Sequence, residues 1–295
     1  MSILRNNVNE ERLKDFFRDA YWYHTLEIDN GIITDGTYDL RTVLPAHRFP
    51  ETMKGKTVLD VGSSDGFYAF EFEKREAESV LAVDTNAYDG SLPFDPSPAK
   101  KESYINKHSR ERREFEKYRD IFSLLGLKGS NKLIVLADYW NSAVTFQQCS
   151  IYDLEKIGKQ FDFVFCGALM EHLKNPLCAI EQLRSVTRET CVITLSSALP
   201  ISKVNEGDLR LWLLYIFIRV MGLNKEVSLN KRDFILKYVG NSSGGSFYNI
   251  HPATFREMLL AADFRRVEIV GEYDVLNRRN NVPNHNVVFH CFVQG

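Results

Sequence analysis

The stretch that decides the fold is Val58-Leu59-Asp60-Val61-Gly62-Ser63-Ser64-Asp65-Gly66-Phe67-Tyr68. Its pattern predicts a buried strand, a turn containing Gly62 and Gly66, and a helix that begins near Phe67. Glycine lets the backbone at Gly62 approach a ligand closely, and Asp60 at the strand end can hold a cationic group such as an amino group. The stretch therefore predicts a ligand site at the carboxyl end of this strand.

A second acid follows at the tip of the next predicted strand. That strand ends in Val83-Asp84, eighteen residues after Gly66, and a carboxylate there suits hydrogen bonds to ribose hydroxyls. The turn differs from G-x-G-x-x-G and lacks G-K-[ST], which disfavours both a pyrophosphate dinucleotide and a nucleoside triphosphate. The pattern favours a nucleoside with an amino-acid tail.

Apolar strands alternating with amphipathic helices define the fold class. The predicted strands are Thr57 to Val61, Ser79 to Asp84, Phe161 to Cys166 and Cys191 to Ser196. They predict an α/β fold with a doubly wound, mostly parallel, Rossmann-like sheet. The apolar stretch Lys132 to Ala137 predicts either a further short strand or the end of a helix. Arg265 to Glu272 and Asn286 to Val293 predict two longer strands, joined by a turn-rich connection, as a C-terminal antiparallel hairpin.

The remaining segments lie outside this alternation. We expect an N-terminal cap over residues 1–50, the cofactor half of the core over 51–198, a helical insertion over 199–246 and the C-terminal part of the core over 247–295. The cap is predicted to hold a helix with Leu13, Phe16, Phe17 and Ala20 on one face and Asn9 as its cap, and a hairpin whose strands, Tyr21 to Ile28 and Ile32 to Thr34, turn at Asp29-Asn30-Gly31.

The insertion carries the longest apolar run, Leu211 to Ile218. Its eight residues fall far short of the ~20 that span a bilayer, so no membrane span is expected. A helix that is apolar on all sides, as this run predicts, has three interpretations. It is a core helix covered by the rest of the chain, a lid that closes over an apolar acceptor pocket with its hinge near Gly244-Gly245, or a dimer contact.

Charge and cysteine usage narrow the partners. Lys and Arg number 37 against 39 Asp and Glu, which disfavours a strongly basic contact with nucleic acid. The predicted helix Lys100 to Lys128, with nine basic and five acidic residues, is the local exception. The five cysteines include no CxxC pair, and no Cys/His/Asp cluster has metal-ligand spacing, so we expect no metal. Residues 1–11 lack the features of a secretory signal, which predicts a cytoplasmic protein.

From about Lys56 onwards, the sequence resembles the class I S-adenosylmethionine-dependent methyltransferases. Asp60-x-Gly62-x-x-x-Gly66 is similar to the family's first motif and Asp84 to its ribose-binding acid. The resemblance implies a seven-stranded sheet and S-adenosylmethionine as cofactor, with adenine held by the Ser150 hydroxyl and the Ile151 amide and with Asp153 capping the following turn. The implied cofactor site comprises Tyr38, Asp60, Gly62, Gly66, Asp84, Thr85, Ser150, Ile151 and Cys166, the last through its backbone.

A narrower resemblance points to the branch that includes the tRNA wobble-uridine carboxymethyltransferases. It rests on Trp22-Tyr23-His24-Thr25-Leu26-Glu27, Tyr38-Asp39-Leu40-Arg41, Tyr152-Asp153-Leu154, the Cys166 to Pro176 stretch and Phe247-Tyr248-Asn249-Ile250-His251-Pro252. The N-terminal part is shorter here than in that branch. Its carboxylate-binding tyrosine is replaced by Glu171 or, in the other alignment, by Met170. An acid would repel a carboxylated cofactor, so ordinary S-adenosylmethionine is expected.

The resulting hypothesis is methyl transfer to O or N of a small, partly apolar organic acceptor, in secondary metabolism, by a chain that can form a homodimer. His172 is the candidate base for a hydroxyl acceptor, or it packs at the start of the next helix. His24 is a second candidate that lines the site, and His251 faces the acceptor or starts a helix. Tyr38 and Arg41 join the site or open a helix. The alternatives are a tRNA wobble-uridine modifier and a non-catalytic nucleoside-binding protein.

Overall fold

A computed structural model of the chain describes residues 1–29, 31–85, 110–197, 236–238 and 248–294. The strands are β1 (Trp22–His24), β2 (Gly36–Tyr38), β3 (Thr57–Val61), β4 (Ser79–Asp84), β5 (Thr145–Gln148), β6 (Phe161–Gly167), β7 (Thr187–Ser197), β8 (Leu236–Tyr238), β9 (Tyr248–Ile250), β10 (Arg266–Asn277) and β11 (Val282–Phe292). The α-helices bounded within the described residues are α1 (Ile3–Asn7), α2 (Glu10–Asp19), α3 (Phe67–Lys74), α4 (Arg119–Leu124), α5 (Lys132–Trp140), α6 (Pro176–Val186) and α7 (Pro252–Ala261).

Seven strands form one sheet in the order β10-β11-β7-β6-β3-β4-β5. β3 to β7 run parallel, whereas β11 runs antiparallel to both β7 and β10. The chain moves outward from β3 to β5 and then returns to β6 on the other side of β3. This reversal opens a crevice at the carboxyl ends of β3 and β6, which is where open α/β sheets bind ligands. The predicted doubly wound sheet and C-terminal hairpin are confirmed.

Hydrophobic residues cover both faces of the sheet. One layer contains the N-terminal helices, α3 and α5, and its largest fully buried side chains include Phe16, Phe17, Trp22 and Phe72. The other contains α6 and α7, with Leu183, Phe255 and Phe289 buried. Burial of the strands on both faces explains their near-continuous apolar sequences.

Local signals set several boundaries where the sequence predicts them. β3 and β4 occupy the predicted residues, and α3 begins at Phe67 directly after Gly66, whose φ is 88°. The Asn9 side chain accepts the Glu11 N–H at 2.8 Å and caps α2. Leu13, Phe16, Phe17 and Ala20 are buried as predicted.

The N-terminal hairpin was predicted wrongly. β1 has three residues and pairs in parallel with β2, a strand that the sequence analysis did not include. The predicted turn is present, since the Ile28 N–H donates to the Ile32 carbonyl at 2.8 Å and Glu27 forms an antiparallel bridge with Ile33. The chain then continues beyond Thr34 to pair Gly36–Tyr38 with the beginning of the predicted strand.

Three further elements differ from the prediction. Lys132 to Ala137 is helix α5, whose N-terminus is capped by the Asn131 side chain accepting the Ile134 N–H at 3.1 Å. β5 was missed, and β7 begins four residues before Cys191. The C-terminal strands are longer than predicted, leaving residues 278–281 as the connection. Pro283 lies next to Leu276 of β10, and the pairing of β11 with β7 within the described residues begins at His285.

The predicted lid helix, its Gly244-Gly245 hinge and the first part of the basic helix, residues 100–109, lie outside the described residues. Of the 199–246 segment, the backbone of β8 is described, and it pairs antiparallel with β9. Within the described part of the chain, no helix combines the length and hydropathy needed to cross a membrane.

Candidate functional site

The loop after β3 is held tightly against the tip of β4. The N–H groups of Gly62 and Ser63 both donate to the Val83 carbonyl, at 2.9 and 3.2 Å. Gly62 has a φ of 78°, and a Cβ placed on it would lie 3.1 Å from Leu169 Cδ2. Glycine is therefore needed at this position for its left-handed backbone and for space at the cavity wall.

Asp60 is a buried carboxyl at the end of β3. Its side chain is 1% exposed, and its Oδ2 has no hydrogen-bond partner among the described residues. Burial, reinforced by the negative charge of Asp84, raises the pKa of Asp60 to about 8. A buried carboxylate needs a compensating cation or donor, so Asp60 is suited to bind a cationic ligand group.

Asp84 ends β4 beside the same loop. Its Oδ2 accepts the Ser64 N–H at 2.8 Å, and its carbonyl accepts the Cys149 N–H at 2.9 Å. These bonds fix the carboxylate at the strand tip that the sequence predicted for ribose. Thr85 follows it and is half-buried.

The predicted adenine-binding stretch begins a 3₁₀ helix. The Ser150 hydroxyl accepts the Tyr152 N–H at 3.2 Å and is therefore the cap of this helix. Asp153, predicted to be that cap, forms an ion pair with Lys156 at 2.7 Å instead. The Ser150 hydroxyl accepts in this capping bond and still has its own hydrogen to donate. Ile151, the next residue, is buried.

The end of β6 forms the next part of the wall. Cys166 is fully buried, and burial raises the pKa of its thiol well above the ordinary value, so it is inert. The cavity wall begins one residue later, at Gly167 and Ala168. The Ala168 N–H donates to both the carbonyl and the hydroxyl of Thr194, at 3.0 and 2.8 Å, and so ties this turn to β7.

Glu171 and His172 lie in a short 3₁₀ turn after β6 and both line the cavity. Glu171 is 4% exposed, and its Oε2 has no hydrogen-bond partner among the described residues. Burial raises the pKa of Glu171 although His172 opposes the shift. The His172 side chain is 42% exposed, with Nε2 3.7 Å from Glu171 Oε1. His172 is the candidate base that the sequence predicts. Glu171 was expected only to repel a carboxylated cofactor, and its burial in the cavity wall was not predicted.

His24 forms a buried pair with Asp65, the acid inside the glycine loop. His24 Nδ1 contacts Asp65 Oδ1, while Asp65 Oδ2 accepts the N–H groups of Tyr23 and His24 at 2.9 and 2.8 Å. Burial opposes ionisation of Asp65, but its interactions with His24 outweigh burial and lower the pKa of the carboxyl. The pair fixes the imidazole ring at the cavity wall. Asp65 was visible in the loop sequence, but its role was missed.

Tyr38 lies opposite the glycine loop and contacts the C-terminal hairpin. Its hydroxyl accepts the side-chain N–H groups of Asn277 and Asn284, each at 3.0 Å. Arg41 does not line this cavity and forms a two-point ion pair with Asp39, at 2.9 and 2.7 Å. His251 is a helix-start residue, because its Nδ1 accepts the Ala253 N–H at 3.1 Å at the beginning of α7.

Several of these residues line a cavity of about 370 Å³. Its described lining includes Tyr23, His24, Tyr38, Leu40, Asp60, Gly62, Gly167, Ala168, Glu171, His172, Thr194, Ser196, Tyr273, Val275, Asn277, Asn280, Asn284 and Asn286. Gly66, Asp84, Thr85, Ser150 and Ile151 lie at or beside the same strand tips, outside this lining. The cavity extends from the predicted cofactor half to the hairpin.

The strand order, with antiparallel β11 between β7 and β10, defines a Rossmann-like fold. Solved structures with this fold resemble the chain across most of its length. The N-terminal domain of EvdMO1, crystallised in the presence of S-adenosylhomocysteine and D-fucose, shares 12% identity over 98% of this chain and 96% of its own, with a TM-score of 0.54. A structure of the same domain with S-adenosylhomocysteine bound is 11% identical over 98% of this chain and 96% of its own, also with a TM-score of 0.54.

A putative methyltransferase from Bacillus halodurans shares 11% identity over 87% of this chain and 99% of its own, with a TM-score of 0.48. No protein-family model and no curated protein matches the sequence. The likeness to the EvdMO1 domain, at 11–12% identity, shows the fold.

Proposed function

We propose that this protein is an enzyme that binds S-adenosylmethionine and transfers its methyl group to O or N of a small organic acceptor. The observation that carries the proposal is the unpartnered Oδ2 of Asp60, a carboxyl buried at the end of β3 in the wall of the cavity, close in sequence to Gly62. S-adenosylmethionine carries an ammonium group that compensates such a carboxylate. The presence of S-adenosylhomocysteine in the EvdMO1 structures supports the same ligand class.

The residues of the loop and strand tips fit this ligand. Asp60 binds the amino group, Gly62 leaves room for the tail, and Asp84 binds the ribose hydroxyls. The Ser150 hydroxyl and the Ile151 amide hold adenine. When bound, the ligand supplies a methyl group on a sulfonium, which needs alignment with a nucleophile rather than covalent catalysis. Tyr38 and the backbone at Cys166 and Gly167 complete the enclosure.

The remaining lining residues position the acceptor and manage its proton. His24 is fixed by Asp65 and is in place to line the acceptor. His172 is exposed enough to exchange protons with solvent. A wall made of side chains from the cap, β6, β7 and the hairpin excludes water from the place where the methyl group is transferred.

The tRNA alternative has little support in the described residues. Three of the five basic side chains of residues 110–119 have partners within the chain. Arg110 stacks on the Tyr21 ring with its guanidinium carbon 3.5 Å from the ring centre, and Lys117 pairs with Asp19 at 3.5 Å. Arg119 forms an ion pair with Glu116. A cationic surface that binds phosphates needs charges directed to solvent, so we favour a small acceptor.

Calorimetry with S-adenosylhomocysteine tests the proposal. The wild-type chain is expected to bind, and Asp84→Ala is expected to bind about ten- to a hundredfold more weakly, which corresponds to the ~1.5–3 kcal/mol of charge-assisted hydrogen bonds. Asp19→Ala removes an exposed acid outside the cavity and serves as the matched control with unchanged affinity. A folded wild-type chain that does not bind would overturn the proposal, and unchanged affinity in Asp84→Ala would remove Asp84 from the site.

Methyl transfer separates an enzyme from a nucleoside-binding protein. The cofactor-loaded chain is incubated with radiolabelled S-adenosylmethionine and the small-molecule fraction of a cell extract. Label in a product other than the cofactor supports the proposal. Tight cofactor binding without transfer at stoichiometric protein would favour the non-catalytic alternative.

A further inference from the structure

We infer that the acceptor is a neutral, polyhydroxylated small molecule of the sugar class, and that Glu171 takes the proton from its reacting hydroxyl. The inference rests on the proposed function, because the reacting hydroxyl must meet the methyl group in the cavity. It adds a substrate class and a catalytic residue that the sequence analysis did not assign.

The first observation is the carboxyl of Glu171. It follows the Gly167–Ala168 turn in the chain and lines the cavity, and its Oε2 is buried with no hydrogen-bond partner among the described residues. An unsatisfied buried carboxylate oxygen is costly. A ligand hydroxyl that donates to this oxygen removes that cost.

The second observation is the chemistry of the surrounding wall. Asn277, Asn280, Asn284 and Asn286 line the cavity together with Thr194 and Ser196. Asn277 and Asn284 each donate one of their two side-chain N–H groups to Tyr38 and keep the other. Carboxamides and hydroxyls both donate and accept hydrogen bonds, as the hydroxyl groups of a sugar do. Leu40, Val275 and Val282 supply an apolar part of the wall for the C–H face of a sugar ring.

Charge excludes the main competing class. Among the described lining residues, none is Lys or Arg. The cationisable side chains are His24, which is already paired with Asp65, and His172, which lies beside Glu171. An acceptor with a carboxylate or phosphate would face Glu171 and Asp60 with no fixed cation to balance it. The described wall therefore favours an acceptor without negative charge.

Glu171 is the buried proton acceptor of this wall, since His24 is already paired with Asp65 and His172 is exposed to solvent. The phenol groups near it belong to Tyr23, Tyr38 and Tyr273, and removal from water raises the pKa of each of them, that of Tyr273 to about 12. They remain protonated donors near neutral pH. Burial raises the pKa of Glu171 toward the range where a general base works.

The transfer step balances with Glu171 as base. The acceptor oxygen forms a bond to the methyl carbon while the carbon–sulfur bond breaks and leaves its electron pair on sulfur. The hydroxyl proton passes to the Glu171 carboxylate, so the neutral thioether and methyl ether leave a protonated Glu171. His172, 3.7 Å away and exposed, then returns this proton to solvent.

The test uses the full chain and Glu171→Gln, which keeps the shape of the side chain and removes the base. Glu268→Gln, at an exposed glutamate of β10 that pairs with Arg266, is the matched control. The probes are D-fucose and D-galactose, with galacturonic acid as the anionic comparison. Saturation-transfer NMR on protein loaded with S-adenosylhomocysteine measures binding, and transfer of label from S-adenosylmethionine measures the rate across pH 5 to 9.

We expect the neutral sugars to bind at millimolar concentration and galacturonic acid to bind at least tenfold more weakly. We expect Glu171→Gln to keep the affinity for S-adenosylhomocysteine, to lose about 10²–10⁴-fold in rate, and to lose the rise of rate with pH that ionisation of Glu171 causes in the wild type. Glu171→Asp should restore part of the rate, and Glu268→Gln should match the wild type.

Three results would overturn the inference. Protein that binds S-adenosylhomocysteine but neither neutral sugar at 100 mM contradicts the substrate class. A Glu171→Gln rate within threefold of the wild type contradicts the base, and a loss of cofactor affinity in this variant places Glu171 on the cofactor side. Failure of the wild type to bind S-adenosylhomocysteine is a different outcome, since it removes the proposed function itself.

Discussion

Replacing Asp60 by Asn is expected to stabilise the ligand-free chain and to weaken cofactor binding. The folded-state pKa of Asp60 is about 8, against an ordinary value of 3.8. Because the pKa is raised on folding, the stability that Asp60 contributes is complete below pH ~4 and is lost as the pH rises to ~8. At pH 7 the loss approaches about 4 kcal/mol, from ~1.4 kcal/mol for each pH unit above the unfolded pKa. An uncharged Asn removes that loss.

Binding should respond in the opposite direction. The cofactor's ammonium group requires the ionised carboxylate, so wild-type affinity should rise about tenfold from pH 6 to 7 and less steeply from pH 7 to 8. Each binding event should release about one proton at pH 6 to 7 and about half a proton at pH 8. Asp60→Asn loses the charge-assisted bond, about 1.5–3 kcal/mol, and with it the pH dependence.

Urea denaturation at pH 7 measures the stability change, and calorimetry with S-adenosylhomocysteine at pH 6, 7 and 8 measures the affinity. Repeating the titration in buffers of different ionisation enthalpy counts the protons. Asp19→Asn is the control at an exposed acid. If Asp60→Asn keeps the wild-type affinity and its pH slope, Asp60 does not bind the cationic group, and the assignment of the cavity fails.

Three further predictions follow from particular residues. Gly62→Ala should weaken S-adenosylhomocysteine binding in calorimetry, whereas Gly158→Ala, with a φ of 73° and open space around it, adds about the same 1–2 kcal/mol of left-handed strain and leaves affinity unchanged; equal affinities would contradict the close approach at Gly62. Asp65→Asn breaks the buried pair with His24 and should lower the free energy of unfolding in urea by about 3–5 kcal/mol; a loss under about 1 kcal/mol, the range of an exposed pair, would show that the pair is not buried in solution. Burial lowers the pKa of His47 to about 4, so the stability contributed by the neutral imidazole is lost as the pH falls from ~6.5 to ~4, by up to about 3 kcal/mol. In His47→Gln the urea midpoint should therefore depend less on pH over this range than in the wild type. An equal pH dependence in the two proteins would contradict the burial of His47 as the cause.

The parts of the fold that were predicted correctly are those specified by neighbouring residues. Gly66 and the residues after it set both the left-handed turn and the start of α3. The near-continuous apolar sequences of Thr57–Val61 and Ser79–Asp84 reflect burial on both faces. β5, Thr145–Gln148, was missed because one of its four residues is strongly apolar and its pairing with β4 is a tertiary contact. The apolar run from Lys132 fits either a strand or a helix, and the capping bond of Asn131 decides for the helix.

The site divides in the same way. Asp60, Gly62 and Asp84 were identified because their spacing along two strands carries the information. The roles of Asp65 and Glu171 depend on burial and on partners distant in sequence, such as the pairing of Asp65 with His24 across 41 residues. The carboxamides of the hairpin enter the cavity because β10 and β11 extend further than their turn-like sequence suggests.

A crystal structure of the chain with S-adenosylhomocysteine tests the central claim most directly. We predict that the amino group of the ligand lies within hydrogen-bond distance of Asp60 Oδ2, that the ribose hydroxyls contact Asp84, and that the sulfur faces the part of the cavity that holds Glu171. A ligand bound elsewhere, or bound with its sulfur directed away from this cavity, would contradict the account.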